Sequence, residues 1–376
     1  MTEGGKRAFC GGPSKKRGKF SILRVRIWQS VRSHAMSENS ISSAPPQKIL
    51  VTGAAGFIAS RVCSLLHEQG REVIGLDNFN EAYDVRLKVW RWVNLENLPG
   101  LELHRLDLKD EAALERLFEK HARTARTEPF DAVINLAARA GVRASVENPR
   151  VYVEANVSGA LNLLEMCRKF GVKKFVLAST SSLYGKNHPT PYREDMNTDY
   201  QLSPYAATKK AAEAMAYTYH FLYGIDVSVL RYFTVYGPAG RPDMTPLRFV
   251  QRIREDKVIT IFGDGTQSRD FTYVDDIARG TISALKPIGY EAINLGSDEP
   301  LKLMDMITLI EELTGHKAKI EYRPWHPADM AATWAEITKA RKMLDWAPQT
   351  NFREGLSRLV AWYEENRSWA KEINTD

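Results

Sequence analysis

Tyr205 and Lys209 are separated by three residues in a segment, Pro204–Tyr223, whose composition predicts a helix. Residues four apart lie on the same face of a helix, so the two side chains would be neighbours. A lysine ammonium can stabilise a tyrosine phenolate and bring the phenol closer to use as a base at neutral pH. A lone Tyr-x-x-x-Lys on a helix is usually an exposed pair without a function. It indicates a redox enzyme only when a nucleotide-binding pattern precedes it in the chain.

That preceding pattern is the segment Gly53-Ala-Ala-Gly56-Phe-Ile-Ala59, between an apolar run and a helical one. Gly53 allows a tight turn, and Gly56 lets the backbone approach a pyrophosphate at the N-terminus of the helix. Ala59 stands at the third position, where a small residue still permits close packing of helix and strand. The segment predicts a dinucleotide-binding turn.

Asp77 strengthens this prediction because it ends the next predicted strand, 21 residues after Gly56. A carboxylate there can bind the adenosine ribose hydroxyls and repel a 2′-phosphate. Asn78 follows it in place of an arginine, so the pattern favours NAD over NADP. A simple turn residue is the alternative interpretation of Asp77. Asp107 and Leu108, at the end of the third predicted strand, are placed to reach the adenine.

Strands and helices are predicted to alternate along the first two thirds of the chain. The predicted strands are 48–52, 72–76, 101–106, 132–136, 174–178 and 227–231. The predicted helices are 57–69, 109–123, 151–169 and 204–223. This alternation predicts an α/β fold with a doubly wound parallel sheet of the Rossmann type, in which ligands sit at the carboxyl ends of the strands.

The chain is predicted to divide into an extension, a nucleotide-binding domain and a smaller lobe. Residues 1–46 form a basic extension, predicted to be disordered. Residues 47–233 form the NAD-binding domain, with a return segment near 266–290. Residues 234–265 and 291–370 form the substrate-binding lobe, where the pattern is less regular and rich in Pro and Gly.

The net charge of +6 is concentrated in the extension, which holds nine Lys or Arg residues and two acids, so the other 330 residues carry −1. The body is therefore nearly neutral, which argues against nucleic-acid binding. Three interpretations of the extension are open: a disordered tail with Met36 as the true start, a transit peptide, or an arm for a membrane surface or partner. No apolar stretch is long enough to predict a membrane span.

Three cysteines (Cys10, Cys63, Cys167) match no zinc or redox spacing. They fit a reducing compartment, and we predict a cytoplasmic protein without a metal.

The reacting groups are expected at the end of the fifth strand, where Thr180, Ser181 and Ser182 follow one another. Thr180 can hydrogen-bond the hydroxyl being oxidised and help Tyr205 orient it. A Ser/Thr-rich loop without chemistry is the alternative. Asn156 lies inside a predicted helix, where Asn is a poor former, and we interpret it as holding a bend or a water near the lysine, or as a buried side chain bonded to backbone.

At this point the chain resembles a known family, the extended short-chain dehydrogenase/reductases of the nucleotide-sugar epimerase and dehydratase group, over about residues 47–368. The segments that carry the resemblance are 76–84, 136–143, 236–244 and 269–276. The first and third are typical of the subfamily that epimerises UDP-glucuronate. One departure is Arg139, where the subfamily often has an uncharged amide.

The resemblance implies tightly held NAD that is recycled within each turnover, and a reversible 4-epimerisation of UDP-glucuronate to UDP-galacturonate through a 4-keto sugar. Tyr205 would take the proton of the 4-hydroxyl, with Thr180 beside it. Lys209 would bind the nicotinamide ribose and lower the pKa of the tyrosine. A homodimer through the helices near 151–169 and 204–223 is also implied.

The predicted binding residues fall into two sets. The cofactor set is Gly53, Gly56, Phe57, Ile58, Asp77, Asn78, Asp107, Leu108, Ala137, Ala138, Tyr205 and Lys209. The substrate set is Thr180, Ser181, Ser182, Thr234, Arg241, Arg269, Arg323 and Asp329. In the second set, Arg241 would hold the sugar carboxylate, Arg269 the nucleotide diphosphate, and Arg323 with Asp329 a further nucleotide-binding loop.

The chemistry of a uronate separates the alternatives. Oxidation at carbon 4 makes a β-keto acid, which loses CO₂ unless its carboxylate is held in an unreactive orientation. Short hydroxyls and one arginine fork suit that task. Ser181 and Ser182 offer no acid, which argues against elimination and modestly against decarboxylation. A 4-epimerase of UDP-glucose or a UDP-N-acetylhexosamine, a UDP-glucuronate decarboxylase and a non-catalytic NAD-binding regulator remain the alternatives.

Overall fold

The computed structural model describes residues 47–122, 129–186, 188–325 and 331–375. The predictions for residues 1–46, Met36 included, and for Asp329 lie outside the described residues. Among the described helices, none is both long and apolar enough to cross a membrane.

A seven-stranded sheet, parallel throughout, forms the centre of the fold, in the order β10-β6-β5-β4-β1-β2-β3. Its strands are β1 (Lys48–Thr52), β2 (Glu72–Asp77), β3 (Glu102–Arg105), β4 (Ala132–Asn135), β5 (Lys174–Thr180), β6 (Asp226–Tyr232) and β10 (Tyr290–Leu295). Every residue of β4 and β5 is buried, as expected for strands covered on both faces by helices. The strand order reverses between β1 and β4, where a doubly wound fold opens its ligand crevice. The predicted fold class is confirmed.

The helices that accompany this sheet begin and end at residues suited to those positions. They are α1 (Phe57–Glu68), α2 (Val85–Glu96), α3 (Glu111–His121), α4 (Val142–Glu147), α5 (Pro149–Tyr152), α6 (Gly159–Phe170), α7 (Pro204–Tyr223) and α9 (Val274–Ser283). The Ser203 side chain accepts the Ala206 N–H at the start of α7, and Gly224, with φ of 68°, ends it, as is usual for caps. The sequence pattern did not predict α2.

The single helix predicted over 151–169 is interrupted by a π-helical turn, Val153–Ser158. Asn156 lies in this turn, and its amide accepts the Arg139 N–H (2.8 Å) and donates to the Arg139 carbonyl (3.0 Å) and to Thr208 Oγ1 (3.0 Å). The turn places that amide toward the loop after β4 and toward α7. Of the two interpretations of Asn156, the structure shows a buried side chain bonded to backbone at a helix irregularity.

The remaining described elements include helices and the strands of smaller sheets. They are β7 (Thr234–Tyr236), α8 (Thr245–Arg254), β8 (Val258–Phe262), β9 (Ser268–Tyr273), β11 (Pro300–Lys302), α10 (Leu303–Thr314), β12 (Lys319–Arg323), β13 (Ala332–Thr333), α11 (Thr338–Leu344) and α12 (Phe352–Ala370). Strand β9 pairs with β7, β11 and β13, and β8 pairs with β12. The strand that re-enters the large sheet is therefore β10, whereas β9, within the predicted return segment 266–290, belongs to the small sheet. The division into domain and lobe remains a prediction.

Candidate active site

The glycine turn between β1 and α1 leaves no room for a side chain. Gly53 has φ of 74°, and a Cβ there would lie 2.9 Å from the Ala137 nitrogen. A Cβ on Gly56, directly before α1, would lie 2.7 Å from the Gly53 carbonyl oxygen. The bare backbone at the N-terminus of a twelve-residue helix suits a phosphate, because free N–H groups and the helix dipole favour negative charge there.

Asp77, the last residue of β2, is a buried carboxylate that accepts backbone hydrogen bonds and lies beside a lysine. It accepts the Ala55 N–H (3.2 Å) and the Phe79 N–H (2.7 Å). The Lys88 ammonium, buried on α2, lies 3.4 Å from the same carboxylate. The carboxylate is thus held at the cleft wall with a cation beside it, a pair that can bind vicinal hydroxyls. Sequence reasoning missed Lys88, and its only signal was a basic residue 11 positions after Asp77.

Two clefts adjoin at this turn and share Gly53, Gly56 and Arg241 as lining residues. The first cleft is also lined by the predicted cofactor residues Asp77, Asn78, Asp107, Leu108, Ala137 and Ala138. The second cleft is also lined by Phe57, Ile58, Ala138, Thr180, Ser181, Ser182, Tyr205, Lys209 and Thr234. The structure therefore brings the predicted cofactor set and five of the eight predicted substrate residues together along one groove at the carboxyl ends of the strands.

The predicted reacting residues meet where β5 ends beside α7. The Thr180 hydroxyl accepts the Ser182 N–H (3.2 Å) and donates to Ser182 Oγ (3.2 Å), and it lies close enough to the Tyr205 phenol to affect the pKa of that phenol. Burial raises the pKa of Tyr205, whereas the Thr180 hydroxyl and the charge of Arg241 act to lower that pKa. Lys209 Nζ donates to the Ala178 carbonyl (2.9 Å). Activation of the tyrosine by Lys209 remains a prediction, because the nearby cation that lowers the tyrosine pKa in this arrangement is Arg241.

Lys209 is itself an unusual lysine. It is 5% exposed, and burial lowers its pKa to about 8, while Glu213, one turn further along α7, acts to raise that pKa. Glu213 is held in place because it pairs with buried Arg231 (2.9 Å) and accepts the Ser179 hydroxyl (2.6 Å). The ammonium is therefore available as a fixed donor near the end of β5.

Replacing Lys209 by methionine should change how stability depends on pH. The lysine pKa is about 8 in the folded state against an ordinary value of 10.5, so between these values the unfolded chain binds more protons than the folded one. The free energy of unfolding of the wild type should therefore rise relative to that of the variant as pH increases, by about 2 kcal/mol between pH 7 and 9.5. Urea unfolding of both proteins at these two pH values measures this, and a difference that stays constant would contradict the depressed lysine pKa.

Arg241 lies on the loop between β7 and α8 and lines both clefts. Its Nε donates to Asp243 Oδ1 (3.0 Å) and its Nη2 lies 3.4 Å from the Ala140 carbonyl oxygen. Ser181 and Ser182 are half-buried in the turn that follows Thr180. A planar guanidinium that already holds one carboxylate, next to two short hydroxyls, has the donors to bind another.

The structure does not bring two other predicted substrate residues into either cleft. Arg269 is half-buried on β9, where Nη1 donates to the Ser268 carbonyl (2.8 Å). Arg323 is exposed at the end of β12 and pairs with Glu321 (3.2 Å). Their part in binding a nucleotide remains a prediction, since both lie in the smaller sheets rather than at the edge of the large one.

One group of described residues has the composition of a metal site. Glu102, His104 and His121 meet at the edge strand β3, with His104 Nε2 2.6 Å and His121 Nε2 3.6 Å from Glu102 Oε1. The Lys120 ammonium donates to the same oxygen, and the charge of Lys48 acts with burial to lower the pKa of His121. Because two lysines supply positive charge here, we assign no metal to this group.

Comparison with known proteins gives consistent matches over the described body of the chain. The profile of the NAD dependent epimerase/dehydratase family matches residues 49–296. The UDP-glucuronate 4-epimerase of Thermodesulfobacterium geofontis is 55% identical over 325 residues, which cover 86% of this chain and 98% of that protein.

Two solved structures resemble the fold closely. The UDP-glucuronic acid 4-epimerase of Bacillus cereus, in complex with UDP-glucuronic acid and NAD, is 38% identical with a TM-score of 0.78, covering 85% of this chain and 99% of that one. The UDP-glucose 4-epimerase of Thermotoga maritima, with UDP-glucose, is 32% identical with a TM-score of 0.77 and the same coverage.

Proposed function

Since the chain belongs to the NAD dependent epimerase/dehydratase family, we propose that it is an NAD-dependent 4-epimerase that interconverts UDP-glucuronate and UDP-galacturonate. The observation that carries this proposal is that Arg241 lines the same cleft as Tyr205 and Thr180. The proposed base, Tyr205, and the guanidinium that would bind the carboxylate, Arg241, could then contact the same sugar ring. The relatives from Thermodesulfobacterium geofontis and Bacillus cereus support the same substrate.

The cofactor is NAD, and the residues of the first cleft fit it. Gly53 and Gly56 form a cradle that any Cβ would fill, at the place where a pyrophosphate needs backbone N–H groups. Asp77, with Lys88, would hold the adenosine ribose, and the carboxylate would disfavour a 2′-phosphate. When bound, NAD supplies a reversible acceptor for the hydrogen and electron pair of carbon 4.

Tyr205, assisted by Thr180, would remove and later return the proton of the substrate 4-hydroxyl. The Thr180 hydroxyl would orient the substrate 4-hydroxyl toward the tyrosine oxygen, which takes that proton in its phenolate form as a carbonyl forms at carbon 4. The Lys209 ammonium would favour that phenolate. Lys209, whose ammonium donates to the Ala178 carbonyl, would hold the nicotinamide ribose of the cofactor. After the keto sugar has turned its other face to the cofactor, the hydrogen and electron pair return to carbon 4, and Tyr205 returns the proton to the carbonyl oxygen, which becomes the new hydroxyl.

Arg241, Ser181 and Ser182 would protect the keto intermediate. The intermediate is a β-keto acid, and its carboxylate is lost only when the bond between carbons 5 and 6 stands perpendicular to the carbonyl plane. Donors that hold the carboxylate out of that orientation prevent the loss. No acid follows Thr180 in the turn Ser181–Tyr184, so this turn offers no carboxylic acid to donate a proton in an elimination.

The proposed function is tested by incubating the purified protein with UDP-glucuronate, without added NAD, and following the products by NMR. UDP-galacturonate without free reduced cofactor is the expected result. A UDP-pentose with CO₂ would indicate a decarboxylase instead. No reaction after NAD is supplied would exclude the uronate, and UDP-glucose and UDP-N-acetylhexosamines would then be assayed.

We also propose that the protein forms a homodimer through α7 and the neighbouring helices. The C-terminal half of α7 exposes Tyr217, Phe221 (74% exposed) and Leu222 (57% exposed), and Val153 is exposed on the adjacent π-helical turn. Clustered exposed apolar side chains of this kind commonly mark an interface between proteins.

Phe221→Glu should convert this dimer to a monomer, because it places a charge in an apolar contact. Light scattering after size-exclusion chromatography measures the mass. Val258→Glu, at an exposed apolar position on β8, is the control and should leave the mass unchanged. A wild type with the mass of one chain would remove the proposal.

A cytoplasmic location is supported by the cysteines. Cys63 and Cys167 are free thiols, as is usual for proteins of a reducing compartment. Cell fractionation with antibody detection would test this location.

A further inference from the structure

Arg91 is a buried arginine whose donors go to backbone carbonyls and a phenol. It lies on α2 and is 2% exposed. Its Nε and Nη2 donate to the Ala239 carbonyl (3.0 and 2.6 Å), and Nη2 also donates to the Gly240 carbonyl (3.1 Å). Its Nη1 donates to the Ala55 carbonyl (3.1 Å) and to the Tyr83 hydroxyl (2.8 Å). Among the described residues, no carboxylate forms an ion pair with it.

Burying the Arg91 guanidinium costs free energy that an apolar side chain at the same position would not cost. A buried cation needs either an anion or a full set of hydrogen bonds. All three guanidinium nitrogens of Arg91 have acceptors, and the acceptors come from separate segments: the cofactor turn, through Ala55, and the β7–α8 loop, through Ala239 and Gly240. One side chain therefore ties these two segments together.

The β7–α8 loop has a backbone that needs such support. Ala239 has φ of 51°, in the left-handed region that residues with a Cβ seldom adopt. Its carbonyl is the one that accepts two Arg91 donors. Arg241 follows two residues later, and its own contact with the Ala140 carbonyl is long, at 3.4 Å. Thus the position of the Arg241 guanidinium depends on a loop that Arg91 fixes.

We propose that Arg91 is a positioning residue that sets the Arg241 guanidinium relative to the cofactor turn, and thereby sets the preference for a uronate. This inference rests on the proposed function. Tyr83 completes the link, because its hydroxyl accepts from Arg91 while its ring lies 6.0 Å from the Arg241 guanidinium carbon. The turn would hold the cofactor to which carbon 4 gives its hydrogen, and the loop would hold the carboxylate, so the turn and the loop must keep a constant separation.

Displacement of the Arg241 guanidinium should change the products of the reaction as well as its rate. When the carboxylate of the 4-keto sugar can turn, the bond between carbons 5 and 6 breaks and CO₂ leaves. The electron pair of that bond forms an enolate with the carbon 4 carbonyl, and carbon 5 then takes a proton from water. The product is a 4-keto pentose on UDP, and NMR separates it from the uronates.

The test is a double-mutant cycle of Arg91→Lys and Arg241→Met in the NAD-bound enzyme. Lysine keeps the positive charge but lacks the planar guanidinium whose donors reach both the cofactor turn and the β7–α8 loop. Arg91→Lys should lower the ratio of kcat/KM for UDP-glucuronate to that for UDP-glucose at least 10-fold, and raise the decarboxylated fraction several-fold. In the Arg241→Met background the same change should alter the ratio by less than 2-fold.

Controls separate positioning from general damage. Arg86→Lys, on an exposed arginine of the same helix, should leave the ratio unchanged. If Arg91→Lys lowers activity on both substrates equally, or if its effect on the ratio persists undiminished with Arg241→Met, the inference is wrong. If Arg91→Lys does not fold, Tyr83→Phe, which removes one of the five hydrogen bonds, should still shift the ratio about 3-fold, and no shift would overturn the inference.

Calorimetry distinguishes failure of this inference from failure of the proposed function. Wild-type protein that does not epimerise UDP-glucuronate would refute the function. Dissociation constants require no turnover, and the ratio of the value for UDP-glucuronate to the value for UDP-glucose should rise by the same 10-fold in Arg91→Lys. An unchanged binding ratio would overturn the role of Arg91 whether or not the wild type is active.

Discussion

Replacing Tyr205 by phenylalanine should lower turnover of UDP-glucuronate by about 10³-fold or more and leave NAD bound, since a positioned acid or base typically contributes 10²–10⁴-fold. The change removes one oxygen atom and keeps the ring that packs edge-on to Tyr152, at 6.3 Å between centroids. The Thr180 hydroxyl keeps its hydrogen bonds with the Ser182 N–H and the Ser182 hydroxyl oxygen in the variant. Product formation by NMR and the NAD released on denaturation measure the two effects.

A second tyrosine of the same helix gives the control. Tyr219 is buried on α7, and its hydroxyl donates to Glu165, away from both clefts. Tyr219→Phe should keep wild-type turnover within a few-fold. If Tyr205→Phe remained active, the proposed base would be wrong. If it lost NAD along with activity, Tyr205 would be a structural residue of the cofactor site.

Arg241→Met should lower kcat/KM for UDP-glucuronate by roughly 10²–10³-fold, since losing the partner of a buried charged group costs about 3–4 kcal/mol, and each tenfold is 1.4 kcal/mol. A neutral UDP-hexose has no carboxylate to lose, so its kcat/KM should change by less than about tenfold. Methionine retains the length of the side chain and leaves Asp243 without its partner at the edge of the cleft. Initial rates on UDP-glucuronate and UDP-glucose give the comparison.

Arg254→Met provides a matched substitution on α8, where the arginine pairs with Glu364 outside both clefts. It should leave both rates unchanged. Equal losses on the two substrates in Arg241→Met would show that Arg241 shapes the loop and does not recognise the carboxylate. A larger decarboxylated fraction in the variant would add support for its protective role.

Local patterns predicted the parts of this protein that depend on neighbouring residues. The turn at Gly53 and Gly56, Asp77 at the end of β2, and Tyr205 with Lys209 on one helix all lie along the same groove in the structure. Such features can be predicted from the sequence because the carboxyl ends of parallel strands lie at one edge of the sheet, whatever the details of side-chain packing. Three of the predicted helices agree with α1, α3 and α7 within two residues at each end.

Helix α2 escaped prediction for a physical reason. Its buried side chains are Leu87, Lys88, Arg91, Trp92 and Leu95. Two of these five are cations, so an apolar periodicity cannot reveal the buried face. The same two cations are the ones that bond Asp77 and the β7–α8 loop. The residues that made the helix hard to recognise are those that connect it to the site.

The sequence by itself determined the fold class, the cofactor turn and the pair Tyr205–Lys209, because each follows from residue types at short spacing. Only the tertiary structure decided where the charged side chains find their partners: Lys209 on the Ala178 carbonyl, Arg241 on Asp243, and Arg91 on carbonyls 36 and about 148 residues away. Buried cations take whichever acceptors the packing of distant segments presents, and spacing along the chain carries no information about that packing.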